Sequence, residues 1–98
     1  MRRIIIADPA EDDLKSIWDF IAADSVDRAN QVIAEIHLVI STIAQVPGMG
    51  HTRSDIQDDS FRFRSVYSYM IAYQYNDDHV VVYKVIHGAR DLREIFDD

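Results

Sequence analysis

The hydrophobic residues of this chain follow a helical period in the first half and a two-residue period in the second half. Apolar residues first recur every three or four positions, which predicts two successive amphipathic helices. The first stripe consists of Leu14, Ile17, Trp18 and Ile21. The second is broader and consists of Ala29, Val32, Ile33, Ile36, Val39, Ile40, Ile43 and Ala44. Because the connection between the stripes is short, the helices are expected to pack as an antiparallel αα-hairpin.

Polar and turn-forming residues mark the expected ends of these helices. A β-branched run at 3–7 predicts a first strand, and Asp8 is expected to cap the first helix. Pro9 suits the first helical turn, where no N–H donor is needed. Ser25 is a candidate cap for the second helix, which should end at the Pro-Gly-Met-Gly segment 47–50.

Three strands are predicted after residue 60. Phe61 and Phe63 alternate with Arg62 and Arg64, which predicts a strand with one apolar and one basic face. Two further β-rich runs, 69–75 and 80–87, are separated by the turn 76–79, and Gly88 ends the second. Their short connections favour an antiparallel meander.

The predicted order is therefore β-α-α-β-β-β. This order indicates a single α+β domain over residues 1–98, in which an antiparallel sheet packs against an αα-hairpin. Residues 91–96 are expected to form a short C-terminal helical turn.

Composition and charge narrow the possible functions. The chain has 98 residues, no cysteine, and 10 basic against 17 acidic residues, for a formal charge of −7. This balance disfavours nonspecific attraction to nucleic acid or to an anionic membrane. No apolar run is long enough to span a bilayer, so a soluble, cytoplasmic protein is expected. The histidines and carboxylates lack metal-ligand spacing, and no motif indicates a cofactor.

The candidate chemistry lies in the second half of the chain. Arg62 and Arg64 are the only charges between residues 61 and 76 and should project from one face of a strand. They indicate either a ligand-binding surface or a solvated face with weak ion pairs. His87, followed by Gly88 and Arg90, is either an acid/base group or a structural imidazole. The odd offset between Lys84 and His87 puts these two on opposite faces.

Several segments, in this order, resemble the RelE/ParE toxin superfamily. The similarity spans nearly the whole chain and includes DPAEDDL at 8–14, IWDFI at 17–21, PGMG at 47–50, YMIAY at 69–73 and VYKVIHGARDL at 82–92. The resemblance implies the toxin half of a type II toxin–antitoxin pair, with plasmid stabilization as an associated role. It also implies a cognate ParD-like antitoxin that has a DNA-binding head.

The residues favour the ParE branch, whose members act on DNA gyrase. A protein target requires only a complementary surface, with no membrane contact and no direct sequence-specific nucleic-acid binding. The expected target-binding residues are Arg62, Arg64, Lys84, His87, Arg90 and Arg93. An apolar antitoxin helix is expected to contact Trp18, Phe20 and Val39 on the helical hairpin.

Two alternatives remain open from the sequence. The first is a metal-independent, ribosome-dependent mRNA endoribonuclease of the RelE type, in which His87 would act with Arg62 and Arg64. The second is a degenerate member that binds an antitoxin but poisons nothing.

Overall fold

Two helices pack on one side of a four-stranded sheet. The computed structural model describes residues 2–56 and 58–88. The elements are β1 (Arg3–Ile6), α1 (Asp8–Ala22), α2 (Val26–Gln45), a short 3-10 turn (Pro47–Met49), β2 (Arg62–Val66), β3 (Tyr69–Tyr75) and β4 (His79–His87). The predicted α+β class and element order are confirmed. The helical turn predicted at 91–96 lies outside the described residues.

The sheet has the strand order β1-β4-β3-β2. β2, β3 and β4 form the predicted antiparallel meander. β1 lies beside β4 in parallel, with Arg3 opposite His79 and Ile6 opposite Val82. This parallel pair makes the sheet mixed. It arises because the whole helical hairpin, rather than a tight turn, separates β1 from the meander.

The two helices begin differently. Asp8 lies inside the first turn of α1, and the N-cap position is taken by Ala7 in an extended conformation with no side-chain cap. The prediction that Asp8 caps this helix is therefore wrong, although its carboxylate still places negative charge near the helix N-terminus. The predicted cap of α2 is confirmed, since Ser25 Oγ accepts a hydrogen bond from Arg28 N over 3.1 Å. No helix in the described part of the chain is both long and apolar enough to cross a membrane.

Both sides of the sheet carry buried apolar residues. The main core lies between helices and sheet, and its largest fully buried members include Ile36, Ile40, Ile43, Ile71, Tyr73, Val80 and Val82. A second cluster lies on the opposite, outer side and consists of Ile56, Phe61, Phe63, Ala72 and Ile86, with Met70 packed against it. The connection between the 3-10 turn and β2 supplies Ile56 and Phe61, so this segment contributes to the outer cluster.

Tyr73 connects the main core to the end of α2. Its hydroxyl donates to Pro47 O over 2.5 Å and accepts from Gly50 N over 3.0 Å. Burial raises the pKa of Tyr73 above its ordinary value, which keeps the phenol protonated as a donor. This contact fixes the turn that leads toward β2.

Candidate functional site

Arg62 and Arg64 lie on the helix-facing side of the sheet. In the register of β2 and β3, Arg62 is opposite Tyr73 and Arg64 is opposite Ile71, and both partners belong to the main core. Directly opposed residues in an antiparallel pair share a face. The two arginines therefore project from one face, as predicted.

That face is nevertheless not a purely basic one. Val66, two residues after Arg64, is buried in the main core, while Phe63 is buried in the outer cluster. The predicted division of β2 into one apolar and one basic face is wrong, because this strand contributes apolar side chains to both layers. The arginines are half-buried at the margin of the helix-facing core.

Arg62 is anchored to the turn after α2. Its Nη1 donates to Gly50 O over 3.0 Å, and its guanidinium carbon lies 5.8 Å from the centroid of the Tyr75 ring. This distance is within the range of a cation–π contact. Arg62 is thus fixed by a backbone carbonyl and an aromatic ring.

Arg64 has an incompletely satisfied guanidinium. Its Nε is buried and has no hydrogen-bond partner among the described residues. A buried donor of this kind costs free energy, because it has lost its contact with water without gaining an acceptor. Arg64 therefore brings an unpaired donor and a positive charge to the helix-facing side of β2.

Lys84 is already bound within the molecule. Its Nζ lies 3.0 Å from Asp13 Oδ1, and both side chains are 19% exposed. The other oxygen of Asp13 accepts the backbone N–H of Val85 over 2.9 Å. This contact was not predicted from the sequence, since nothing local to α1 indicates a partner in β4.

His87 lies at the end of β4 and is exposed. It is opposite Tyr69, and the two rings make an edge-to-face contact with centroids 5.7 Å apart. An irregularity in the pairing of β3 with β4 leaves Tyr83 as an extra residue before Lys84, but no register shift separates Lys84 from His87. The prediction that these two side chains lie on opposite faces therefore agrees with the strand register.

Arg62, Arg64 and His87 share the helix-facing side of the sheet but occupy different strands. β3 lies between β2 and β4, and His87 is level with Val66, two residues beyond Arg64, so the backbones of Arg64 and His87 are roughly 12 Å apart at ordinary strand geometry. The ring of Tyr69 stands beside His87 on that same face. Arg90 and Arg93, which complete the predicted target-binding set, lie outside the described residues.

An apolar groove runs between α1 and the end of β4. It has a cavity volume of about 290 Å³ and is lined by Ile17, Phe20, Tyr69, Val85 and His87, among others. Phe20 is 80% exposed, the highest value among the large hydrophobic side chains described. We call this feature the α1–β4 groove.

The other two residues predicted to contact an antitoxin have partners inside the chain. Trp18 Nε1 donates to Asn30 Oδ1 over 2.9 Å and so connects α1 to α2. Val39 is half-buried and packs against the main core. Of the three predicted residues, Phe20 is the one that offers a largely exposed side chain.

No group of three or more potential metal ligands comes together within the described ranges. The charged residues that the sequence singled out are arginines, a lysine and a histidine, which suit binding of an anionic or acidic surface. The arrangement therefore combines a cationic margin of the sheet with a separate apolar groove.

These features define a small α+β protein in which a helical hairpin covers one side of a mixed sheet. The family model described as "ParE toxin of type II toxin-antitoxin system, parDE" matches residues 4–92. Because this match spans most of the chain, the chain belongs to the family of ParE toxins of type II toxin–antitoxin systems. The resemblance to the RelE/ParE superfamily is thereby confirmed.

A solved structure supports the same fold. A chain described as "Chromosomal ParDE TA system from P. aeruginosa" is 14% identical and superposes with a TM-score of 0.74. The superposition covers 89% of this chain and 96% of that chain. At this identity the likeness concerns the fold alone. No protein with a curated functional description matches the chain.

Proposed function

We propose that this ParE-family chain inhibits DNA gyrase, thereby blocks replication, and is neutralised by a ParD-like antitoxin with a DNA-binding head. The observation that carries the proposal is the match of the ParE toxin family model to residues 4–92. The similar fold of a chain from a ParDE system is consistent with it.

The cationic residues supply a surface for the gyrase contact. Arg62, Arg64 and His87 share one side of the sheet, and Arg90 and Arg93 follow His87 in the sequence. Lys84 contributes less, because its charge is compensated by Asp13. A protein target needs a complementary surface and no acid/base pair, which suits a set dominated by arginine.

Gyrase assays test the proposal directly. The purified chain is expected to inhibit supercoiling and to accumulate cleaved DNA. Cells that express it without its antitoxin should form filaments and mount a DNA-damage response while bulk translation continues.

We expect Arg64→Gln to weaken inhibition of gyrase by about tenfold, as loss of a central charged contact does. Lys15→Gln, which removes the same charge from an exposed position of α1, is the matched control.

The same side of the sheet also suits a ribosome-dependent endoribonuclease. His87 would act as the acid/base group, with Arg62 and Arg64 stabilising the charged phosphorane. This alternative predicts A-site cleavage of mRNA by purified chain and translating ribosomes, and its loss in His87→Ala. Cleavage of mRNA together with normal supercoiling by gyrase would favour the endoribonuclease and contradict the gyrase proposal. Normal growth and inactivity in both assays, with verified folded protein, would indicate a member that binds an antitoxin and poisons nothing.

The α1–β4 groove is the proposed docking site for the antitoxin. An apolar helix laid into the groove would cover Phe20, whose exposure to water is unfavourable in the free chain. The neighbouring open reading frame is the first place to look for the antitoxin. A small gene that encodes a ribbon-helix-helix or similar DNA-binding head is expected there.

Phe20→Ser tests the docking site with that antitoxin. We expect the affinity to fall by about tenfold or more, because truncation of a central aromatic anchor commonly has this effect. The fold should be retained, since Phe20 is 80% exposed. Leu38→Ser is the control, because Leu38 is 60% exposed on α2 and is absent from the groove. Equal affinity of the two variants would contradict docking at this groove.

A further inference from the structure

Two arginines flank one exposed tyrosine ring at the end of β3. The guanidinium carbons of Arg2 and Arg62 each lie 5.8 Å from the ring centroid of Tyr75. Tyr75 is 38% exposed. We call this group the Arg2–Tyr75–Arg62 cluster. Two of its members were missed by sequence reasoning, since Arg2 lies far from Tyr75 along the chain.

The backbone fixes both guanidinium groups in place. Arg2 Nε donates to Asn76 O over 2.8 Å, and Arg62 Nη1 donates to Gly50 O over 3.0 Å. A guanidinium carries further N–H donors in a planar fork, so most of its hydrogen-bonding capacity remains after one such contact. Because the anchors already restrict both side chains, an incoming acceptor would pay little of the usual ordering entropy.

Among the described residues, no acidic side chain forms an ion pair with the arginines of the cluster. The ion pairs between described residues are Arg53 with Asp55 and Lys84 with Asp13. Asp77 and Asp78 follow Tyr75 closely in sequence, yet neither forms an ion pair with these arginines. In the part of the chain that the structure describes, this positive charge therefore has no ion-pairing partner, although the sequence carries 17 acidic residues. Arg64 adds to this charge from the same side of β2 as Arg62.

We propose that the Arg2–Tyr75–Arg62 cluster binds carboxylate groups of an acidic peptide segment of a protein partner. Arginine forks match the two oxygens of a carboxylate, and the phenol of Tyr75 offers a further donor beside them. A nucleic acid is a poorer ligand, because its affinity depends on many phosphate contacts and the net charge of −7 opposes them. The site shares Arg62 with the surface proposed for the gyrase contact but does not rest on that proposal, because its test measures peptide binding rather than toxicity.

Titration of the isotope-labelled full chain with an oligoglutamate peptide tests the site by NMR. The Nε–Hε signals of Arg2 and Arg62 and the ring signals of Tyr75 are expected to shift together. An oligoglutamine peptide should leave them unchanged. We expect Arg2→Gln and Arg62→Gln each to weaken binding by about fivefold to tenfold, and Lys15→Gln to leave it within about twofold. Dispersed spectra establish that each variant is folded. If Arg62→Gln does not fold, the affinity of Arg2→Gln decides the test.

Three results would overturn the proposal. One is the absence of any shift on titration. Another is an equal loss of affinity in Lys15→Gln, which would indicate attraction to overall charge rather than a site. The third is tighter binding of a single-stranded oligonucleotide than of oligoglutamate at the same arginines, which would identify a phosphate ligand instead.

Discussion

Gly50 lies against the buried ring of Tyr73, and its backbone N–H donates to the phenol oxygen over 3.0 Å. A Cβ atom at this position would collide with Tyr73 Oη and would lie 2.9 Å from Cε1 and Cζ of the ring. The ring is fully buried, so any movement of it would disturb the surrounding core. Close approach, rather than a special backbone angle, thus requires glycine here.

Replacing Gly50 with alanine is therefore expected to destabilise the fold. The added methyl group must displace the Tyr73 ring or the turn, which typically costs about 1–3 kcal/mol in a well-packed core. Gly48→Ala is the matched control, because a Cβ there meets nothing closer than Tyr75 Oη at 3.9 Å. Urea unfolding of both variants gives the comparison. Equal free energies of unfolding would mean that the turn adapts without cost.

At the level of secondary-structure elements, α1 is joined to β4 by a carboxylate. β1 ends at Ile6, so it pairs with β4 only as far as Val82. Beyond that point Asp13 accepts the N–H of Val85 and pairs with Lys84. One side chain thus satisfies a backbone donor that β1 does not reach.

Asp13→Ala should consequently weaken the α1–β4 contact. It leaves the Val85 N–H and the half-buried Lys84 without their shared acceptor, a loss of about 1–3 kcal/mol in the free energy of unfolding. Asp12→Ala removes the same charge one position earlier, where the carboxylate is exposed. This control should change stability by less than about 0.5 kcal/mol. A similar effect of both substitutions would assign the loss to the helix dipole instead.

Elements with a regular pattern were predictable from the sequence. The bounds of β3 and the Ser25 cap agree with the structure, because each rests on residues close together in the chain. The parallel pairing of β1 with β4 was not predictable, since no local signal identifies its partner. The helix-facing position of Arg62 and Arg64 was missed for a related reason. β2 contributes apolar side chains to a core on each side of the sheet, whereas the alternating sequence pattern was interpreted with a core on one side only.

The residues of the candidate site were also only partly predictable from the sequence. Phe20 was predicted to contact an antitoxin, and its side chain is 80% exposed. Trp18 was predicted to make the same antitoxin contact, but its indole donates to Asn30 across the hairpin. Arg2 and Tyr75 are far apart in the sequence, and a local sequence pattern does not predict contacts between such residues. Candidate-site contacts between residues distant in the sequence could therefore be identified only from the structure.

For the molecule as a whole, negative charge is in excess. The chain carries 17 acidic and 10 basic residues. The described residues form two ion pairs. Mutual repulsion of the remaining carboxylates therefore opposes the compact state. The exposed faces of α1 and α2 carry many of them, including Glu11, Asp12, Asp19, Asp27 and Glu35.

Salt is expected to stabilise this protein. Raising the ionic strength from about 10 mM to about 150 mM shortens the Debye length from about 30 Å to about 8 Å, which screens repulsion between separated surface charges. The melting temperature should rise over this range, and sodium chloride and choline chloride should act alike if screening is the cause. Glu35→Gln removes one exposed carboxylate from α2, so it should raise the melting temperature at low salt and reduce the response to added salt. A melting temperature that falls with salt would show that attractive ion pairs outweigh repulsion in this fold.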